Sequence, residues 1–347
     1  MRVAVTGGTG FIGSHLVKAL AARGDAVRCL LRPSSDRAAL PAAAQPVVAQ
    51  HLADPAALER LLRGADAVVH LAGLTRSWTP RALHEVNRGG TAALCAVAAR
   101  AAPALQQLII VSSQAAVGAS SRRRPRREDD RPAPVTAYGR SKLAAERVRL
   151  RFPRLPVTVV RPPSVYGPGD RDIFAYFRLV HGGLRPELVP ASRLSMVYVG
   201  NLVDALLLAL DRPQHSGQRV YHVADHGVLT MNTVALWIAE AYGRRALRVP
   251  VPQAALAVAG LPLAAAGRLL RRDLLLSRDK LREIAQPAWL LATSRIAAQL
   301  GYRPRLSTRD AIALTARWYL DHGWLRRTPA PRRWAGAGRV SSGGAAT

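Results

Sequence analysis

A glycine-rich segment near the N-terminus, Thr6-Gly7-Gly8-Thr9-Gly10-Phe11-Ile12-Gly13, constrains the fold of this chain more than any other feature. It follows Arg2 to Thr6, which predicts a strand, and it opens Phe11 to Arg23, which predicts a helix. Glycines here let the turn tighten and the backbone approach a pyrophosphate, whose charge the first amides of the helix then stabilise. The segment predicts a dinucleotide site at the start of a βαβ unit.

The first half of the chain alternates short β-branched runs with Ala- and Leu-rich stretches of helical period, a pattern typical of a parallel sheet. The predicted strands are Arg2 to Thr6, Ala26 to Leu31, Pro46 to Gln50, Ala67 to Leu71, Gln107 to Ser112, Pro156 to Arg161 and Arg219 to Val223. The predicted helices include Phe11 to Arg23, Pro55 to Arg63, Thr91 to Ala102 and Ala137 to Arg151.

From about Tyr166 this alternation loosens into loops, aromatic residues and isolated helices. We therefore predict an α/β fold, a Rossmann-type doubly wound parallel sheet with a smaller C-terminal substrate lobe. Residues 1–165 would form the dinucleotide-binding domain, and strands near 156–161 and 219–223 would complete its sheet. Residues 166–325 would be mostly substrate lobe, and residues 326–347 a disordered basic tail.

The end of the second predicted strand bears on which dinucleotide binds. Proteins that prefer NAD place an acid there to bind the ribose hydroxyls, whereas this chain has Arg32, followed by Ser34 and Ser35. A guanidinium offers a planar fork to a 2′-phosphate. The alternative is that Arg32 is one solvated arginine among many. The sequence favours NADP over NAD.

Tyr138 and Lys142 lie one turn apart on one face of a predicted helix. A nearby ammonium stabilises phenolate and lowers the pKa of a tyrosine, which makes Tyr138 a candidate general acid or base. Ser113 follows the predicted strand that ends at Ser112, and it could donate to the same substrate oxygen.

Together with further motifs, these residues resemble an extended short-chain dehydrogenase/reductase of the NAD-dependent epimerase/dehydratase family. The further motifs are Val69-His70-Leu71-Ala72-Gly73, Asn87-Arg88-Gly89-Gly90-Thr91 and the segment from Arg161 to Asp170. A later segment, Ser277-Arg278-Asp279-Lys280, with Trp318-Tyr319, is similar to the C-terminal lobe of bacterial relatives of 3β-hydroxysteroid dehydrogenase and dihydroflavonol reductase.

The resemblance implies a role for each motif. Tyr138 would exchange the proton, Lys142 would hold the nicotinamide ribose and lower the tyrosine pKa, and Ser113 would orient the substrate oxygen. The implied cofactor-binding residues are Gly7, Gly10, Phe11, Ile12, Gly13, Arg32, His51, Leu52, Leu71, Ala72, Gly73, Asn87, Tyr138, Lys142, Pro162 and Val165. His51 stands where the family commonly has an acid that binds adenine. A homodimer packed through the helices containing Thr91 and Tyr138 is also implied.

Departures from the family pattern help to choose a reaction. Dehydratases use an Asp-Glu pair beside the catalytic hydroxyl, whereas Gln114-Ala115 follows Ser113 here. Ser164 and Leu194 stand near the Asn and Arg of UDP-sugar epimerases, although Arg193 is adjacent. We therefore expect hydride transfer between nicotinamide and a secondary alcohol or ketone, on a sterol-like or other apolar substrate. A sugar or sugar-nucleotide epimerase and a non-catalytic dinucleotide-binding protein are the alternatives.

The net charge of +28 raises nucleic acid as a partner, but the basic run 122–127 is offset by 128–130 and lacks interleaved aromatics. We predict no specific nucleic-acid binding. The segment 254–272 is interpreted as lid helices or, alternatively, as a peripheral membrane contact. Cys29 and Cys95 show no disulfide pattern, the histidines, His70 among them, show no metal spacing, and no signal peptide is recognised. A cytoplasmic protein without a metal site is expected.

Overall fold

The computed structural model of the chain describes residues 1–213, 218–255, 258 and 278–326. Its strands are β1 (Arg2–Thr6), β2 (Ala26–Leu31), β3 (Gln45–Val48), β4 (Ala67–His70), β5 (Gln107–Val111), β6 (Val157–Arg161), β7 (Ser164–Tyr166), β8 (Leu184–Val189), β9 (Arg193–Leu194), β10 (Met196–Tyr198), β11 (Arg219–His222), β12 (Leu247–Pro252) and β13 (Ala288–Trp289).

The helices are α1 (Phe11–Ala22), α2 (Pro55–Leu62), α3 (Pro80–His84), α4 (Gly90–Ala101), α5 (Gln114–Val117), α6 (Ala137–Val148), α7 (Phe174–His181), α8 (Val199–Asp211), α9 (Met231–Ala241), α10 (Arg278–Ile284), α11 (Ser294–Leu300) and α12 (Thr308–Asp321). A π-helical turn, Glu85–Gly89, joins α3 to α4, and 3₁₀ turns cover Arg37–Ala39 and Arg149–Arg151.

Seven parallel strands form the central sheet in the order β11-β6-β5-β4-β1-β2-β3. All seven predicted strands are present, so the predicted Rossmann-type α/β fold is confirmed. The direction of winding reverses beside β1, because β2 and β3 lie on one side of it and β4 to β6 on the other. Ligands of doubly wound sheets bind at the carboxyl edge next to such a reversal.

The strands are apolar on both faces because helices cover the sheet on both sides. Along β1, Val3 and Val5 belong to one buried core, and Ala4 belongs to the other. The first core includes Leu16 of α1 and Leu206 of α8, and the second includes residues of α2 and α4. Side chains that alternate across a strand therefore supply both layers.

The chain after residue 165 divides its packing between the sheet and a separate core. The helices α8 and α11 cover the same face of the sheet as α1. A third core unites α7, α9 and α12 around Tyr166, Phe177 and Tyr319. Three parallel strand pairs, β7 with β10, β8 with β12 and β9 with β13, connect this part of the chain.

No helix within the described ranges has both the length and the apolarity needed to cross a membrane. Of the predicted contact segment 254–272, all residues except 254, 255 and 258 lie outside the described residues. The predicted basic tail also lies outside them, apart from residue 326. Cys29 and Cys95 are buried free thiols, and burial raises the pKa of each to about 12.

Candidate active site

The glycine segment forms a tight cradle between β1 and α1. Gly7 has φ +75°, and a Cβ there would lie 2.8 Å from the backbone nitrogen of Ala72. A Cβ on Gly13 would lie 2.0 Å from the carbonyl oxygen of Gly7. The first residue before the helix, Gly10, has no side chain to cap it. The first amides of α1 thus face an open backbone surface, which fits a bound pyrophosphate.

The remaining cofactor candidates surround this cradle at the carboxyl edge. Arg32 lies on a turn after β2 with its side chain exposed, and its backbone N–H donates to Ser35 Oγ at 3.1 Å. His51 is exposed in the loop after β3, and the adjacent Leu52 packs against Gly90 at the start of α4. Leu71 begins the loop after β4, where its N–H donates to Thr6 O at 3.0 Å. These positions fit a dinucleotide lying across the switch point.

The three catalytic candidates come from two elements that pack closely. Tyr138 and Lys142 lie on α6, which is capped by Thr136 Oγ1 accepting from Gly139 N at 2.9 Å. Ser113 caps the short helix α5 and accepts from Ala115 N at 3.1 Å. A Cβ on Gly139 would lie 2.2 Å from Ala115 O, so a glycine is needed for this close approach. The structure thereby brings Ser113 within hydrogen-bonding reach of the Tyr138 hydroxyl.

The predicted lowering of the Tyr138 pKa by Lys142 is wrong for this structure. Burial raises the pKa of Tyr138 to about 12, the hydrogen bond with Ser113 lowers it in part, and the charge of Glu283 raises it. Lys142 Nζ donates instead to Val111 O at 2.7 Å. Burial lowers the pKa of Lys142 to about 8, partly offset by the charge of Glu146. Desolvation therefore keeps the phenol protonated at neutral pH and weakens the lysine as a cation.

Asn87 connects the nucleotide edge to the catalytic helix from within the π-helical turn. Its Oδ1 accepts from Leu74 N at 2.7 Å, and its Nδ2 donates to Leu74 O at 2.9 Å and to Ser141 Oγ at 2.8 Å. Ser141 Oγ in turn donates to Tyr138 O at 2.7 Å. Asn87 Oδ1 also lies 2.7 Å from the place a Cβ would take on Gly73. Asn87 thus fixes the loop after β4 against α6.

Pro162 and Val165 lie on the other side of the catalytic residues. Pro162 O accepts from Gln114 N at 2.7 Å, which joins the segment after β6 to α5. Val165 pairs with Val197 in the small sheet of β7 and β10 and is partly buried. Pro162 therefore lies in a segment that hydrogen-bonds to the helix that Ser113 caps.

A buried ion pair behind the site was not predicted from the sequence. Arg161 donates to Glu146 Oε1 at 2.9 Å through Nε and to Oε2 at 2.6 Å through Nη2, and both side chains are only 4% exposed. Ser112 Oγ donates to the same carboxylate at 2.5 Å. These contacts join Ser112 and Arg161, which directly precede Ser113 and Pro162, to α6, the helix that carries Lys142. A charged residue on the apolar face of a predicted helix was the signal available for Glu146.

Helix α10, after the predicted lid segment, also reaches the site. Asp279 Oδ2 accepts from the N–H of Ala137 at 2.5 Å, at the first residue of α6. Glu283 lies one turn further on and faces Tyr138 closely enough to raise its pKa. The sequence similarity included Asp279 only as part of a lobe motif, and its contact with α6 was not predicted.

Comparison with known proteins agrees with this arrangement. Residues 3–224 match the NAD dependent epimerase/dehydratase family. The chain is 31% identical over 325 residues to ceramide reductase of Caulobacter vibrioides, covering 93% of this chain and 96% of that protein. It is 30% identical over 343 residues to sterol demethylase protein B of Methylococcus capsulatus, covering 94% and 100%.

A solved structure supports the same assignment. DesIV, a dTDP-glucose 4,6-dehydratase from Streptomyces venezuelae solved with NAD bound, has a TM-score of 0.74 at 25% identity over 93% of this chain and 98% of that chain. The residues that match run through the cradle and α6. The protein is therefore an enzyme and belongs to the NAD-dependent epimerase/dehydratase family.

Proposed function

We propose that the chain reduces a ketone on an apolar, lipid-like substrate to a secondary alcohol, with NADPH as the preferred reductant. The observation that carries the proposal is the placement of Tyr138 and Ser113 beside Lys142 at the carboxyl edge, next to the glycine cradle. The phenol of Tyr138 is protonated at neutral pH, so it carries the proton that a carbonyl oxygen must receive.

Each residue has a distinct task in this reaction. The nicotinamide, when bound, supplies the hydride. Tyr138 donates its phenolic proton to the substrate oxygen, and Ser113 donates a hydrogen bond to the same oxygen. Lys142 holds the ribose of the nicotinamide half through its ammonium group while that group is charged. The backbone of the cradle holds the pyrophosphate.

The residue after Ser113 supports reduction over dehydration. Gln114 is buried, and an amide cannot exchange the proton that elimination of water requires. Arg193, which is adjacent to the position where UDP-sugar epimerases carry an Arg, donates to Arg122 O at 2.8 Å. Among relatives that align over nearly the whole chain, one is a ceramide reductase and another a sterol demethylase protein.

Half-exposed Trp78, in the loop after β4, offers an apolar contact for a lipid-like substrate.

The test is turnover of a ketone panel by the purified chain. We expect a keto-sphingolipid or a ketosteroid in detergent to give the alcohol with one NADPH oxidised per product. The control is Gly13→Val, whose side chain would collide with Gly7 O and prevent cofactor binding. Interconversion of UDP-sugars without net NADPH oxidation would show an epimerase instead. Tight dinucleotide binding without any turnover would show a non-catalytic protein.

The pH dependence of reduction follows from Lys142. Because its pKa is lowered to about 8, its charge is present below pH 8 and is lost above it. Tyr138, with its pKa near 12, stays protonated throughout this range. We expect kcat for reduction to be constant from pH 6 to 7 and to fall as the pH rises through about 8.

Lys142→Arg provides the control, since a guanidinium stays charged to beyond pH 12. This variant should be slower but should show no fall near pH 8. If its profile bends at the same pH as that of the native chain, another group is titrating.

Cofactor choice depends on Arg32. We expect Arg32→Gln to raise the Kd for NADPH about 10- to 100-fold and to leave the Kd for NADH unchanged, because one charge-assisted contact to the 2′-phosphate is lost. Fluorescence titration of both dinucleotides measures this. The matched control is Arg317→Gln, an exposed arginine on α12. Equal Kd values for NADPH in Arg32→Gln and the native chain would exclude Arg32 as the phosphate ligand.

We further propose a cytoplasmic homodimer with peripheral membrane contact through 254–272. Leu247 and Val249, which precede this segment, and Val258, which lies within it, are exposed apolar residues, and the net charge of +28 favours anionic headgroups. The homodimer is proposed to pack through α4 and α6.

Light scattering measures the oligomeric state, and co-sedimentation with anionic vesicles measures the membrane contact. A monomer, or protein that stays in the supernatant, would refute the respective proposal.

A further inference from the structure

His70, at the end of β4, is a buried titratable residue to which the reaction above gives no role. It pairs with Thr6 of β1 across the sheet, and its side chain is 3% exposed. Its Nδ1 lies 2.7 Å from Thr6 Oγ1, and its Nε2 lies 3.0 Å from Thr91 Oγ1. Both ring nitrogens are therefore engaged by threonine hydroxyls.

The neighbouring groups determine where the protons lie. Thr91 Oγ1 donates to Asn87 O at 2.6 Å, so it must accept from an N–H on His70 Nε2. A neutral imidazole then has a bare Nδ1, which accepts from the Thr6 hydroxyl. Thr6 Oγ1 also accepts from Ala72 N at 3.2 Å. Burial and the charge of Lys142 lower the pKa of His70 to about 3, which agrees with a neutral ring.

The two ends of this chain of hydrogen bonds lie at different parts of the site. At one end, Ala72 N is the atom that a side chain on Gly7 would strike at 2.8 Å, so its position sets the width of the cradle. At the other end, Asn87 donates to Ser141 Oγ, which donates to Tyr138 O.

We propose that His70 is a positioning residue that couples the nucleotide cradle to the catalytic helix. A neutral ring protonated on Nε2 holds Ala72 through Thr6 and the π-helical turn through Thr91. If the ring were protonated on Nδ1 instead, Nε2 would have no proton to donate to Thr91 Oγ1. The Nδ1 proton would also face the hydroxyl proton of Thr6, so the Thr6 hydroxyl would have to turn away. One tautomer thus fits both ends at once.

The same sheet offers a matched control for a merely structural hydrogen bond. Gln107 Nε2 donates to Thr158 Oγ1 at 2.8 Å between β5 and β6, and both residues are fully buried. Thr158→Val removes a buried hydroxyl of the same kind, at a position that none of the site contacts above involves. Any effect shared by Thr6→Val, Thr91→Val and Thr158→Val is a cost to the fold alone.

The test measures Tm, the Kd of the purified apoprotein for NADPH, and kcat for the three variants. We expect all three to lower Tm by similar amounts. Thr6→Val should raise the Kd about tenfold. Thr91→Val should lower kcat about tenfold while leaving the Kd within about twofold, because it displaces the Tyr138 side of the chain. Thr158→Val should leave both unchanged.

Long-range proton–nitrogen NMR of the histidine rings tests the tautomer directly, with His70→Phe identifying the signal. We expect an Nε2–H ring that does not titrate between pH 5 and 9. An Nδ1–H ring, or unchanged Kd and kcat in Thr6→Val and Thr91→Val, would overturn the proposal. The kcat measurement rests on the proposed ketone reduction, whereas the Kd and the tautomer do not. Failure of the positioning proposal is therefore distinguishable from failure of the proposed function. If His70→Phe does not fold, the Kd of Thr6→Val and the kcat of Thr91→Val still test the positioning role of His70.

Discussion

Tyr138→Phe should lower kcat for ketone reduction by about 10²- to 10⁴-fold, the range that loss of a general acid produces. The phenylalanine ring keeps the packing of the tyrosine ring and removes the proton donor that bonds with Ser113. The Kd for NADPH should stay within about twofold, because the cradle is untouched. Steady-state kinetics at pH 7 with a fluorescence titration of NADPH measures both.

Tyr221→Phe is the matched control for Tyr138→Phe. Tyr221 is a buried tyrosine of β11 whose hydroxyl donates to Gln299 Oε1 at 2.9 Å. Its substitution should lower Tm slightly and leave kcat unchanged. A Tyr138→Phe enzyme that turns over at the native rate would remove Tyr138 from the mechanism and would leave Ser113 or a water as the proton donor.

Arg161→Met should cause the largest loss of stability, about 3 to 5 kcal/mol of the free energy of unfolding. The substitution leaves the Glu146 carboxylate buried and removes two of the three hydrogen bonds that it accepts from Arg161 and Ser112 in the described part of the chain. For a chain of this size we expect Tm to fall by roughly 4 to 7 °C. Thermal unfolding followed by circular dichroism at pH 7 gives the value.

Two comparisons give that result its meaning. The double variant Glu146→Met with Arg161→Met should recover much of the lost Tm, because no uncompensated charge remains buried. Arg81→Ala breaks an exposed pair with Glu85 and should leave Tm unchanged. If Arg161→Met were as stable as Arg81→Ala, water would have to reach Glu146.

The double variant also has a consequence for catalysis. The charge of Glu146 raises the pKa of Lys142 against the effect of burial. Removing that charge should lower the pKa of Lys142 further, so the fall of kcat with rising pH should begin below pH 8. Recovered stability together with a shifted pH profile would show that the pair has both a structural and an electrostatic effect.

The sequence predicted those features that depend on local pattern. Strands such as Gln107–Val111 follow from β-branched runs between helical stretches, and Gly7 to Gly13 follows from spacing alone. Tyr138 and Lys142 were identifiable because a helix places residues four apart on one face. These features need no knowledge of distant partners.

Other features require the assembled fold. Asp279 contacts Ala137 across 142 residues, and Thr6 contacts His70 across 64. Neither pairing leaves a local pattern in the sequence. The direction of the Tyr138 pKa shift was predicted wrongly, because burial in the assembled fold raises the pKa and the charge of the distant Glu283 raises it further. The four-residue spacing predicted that Lys142 lies near Tyr138, but it did not predict that the Tyr138 hydroxyl is removed from solvent.

The hydrogen bond from Ala137 to Asp279 has a consequence for how such proteins diversify. The helix that carries the proposed proton donor begins on a carboxylate supplied by Asp279, from the part of the chain after residue 165. Exchanging that part between relatives would therefore alter the orientation of Tyr138 as well as the shape of the substrate cleft. We therefore expect substrate selectivity and rate to change together, and a chimera that acquires a new substrate should need a carboxylate at position 279 to keep its turnover.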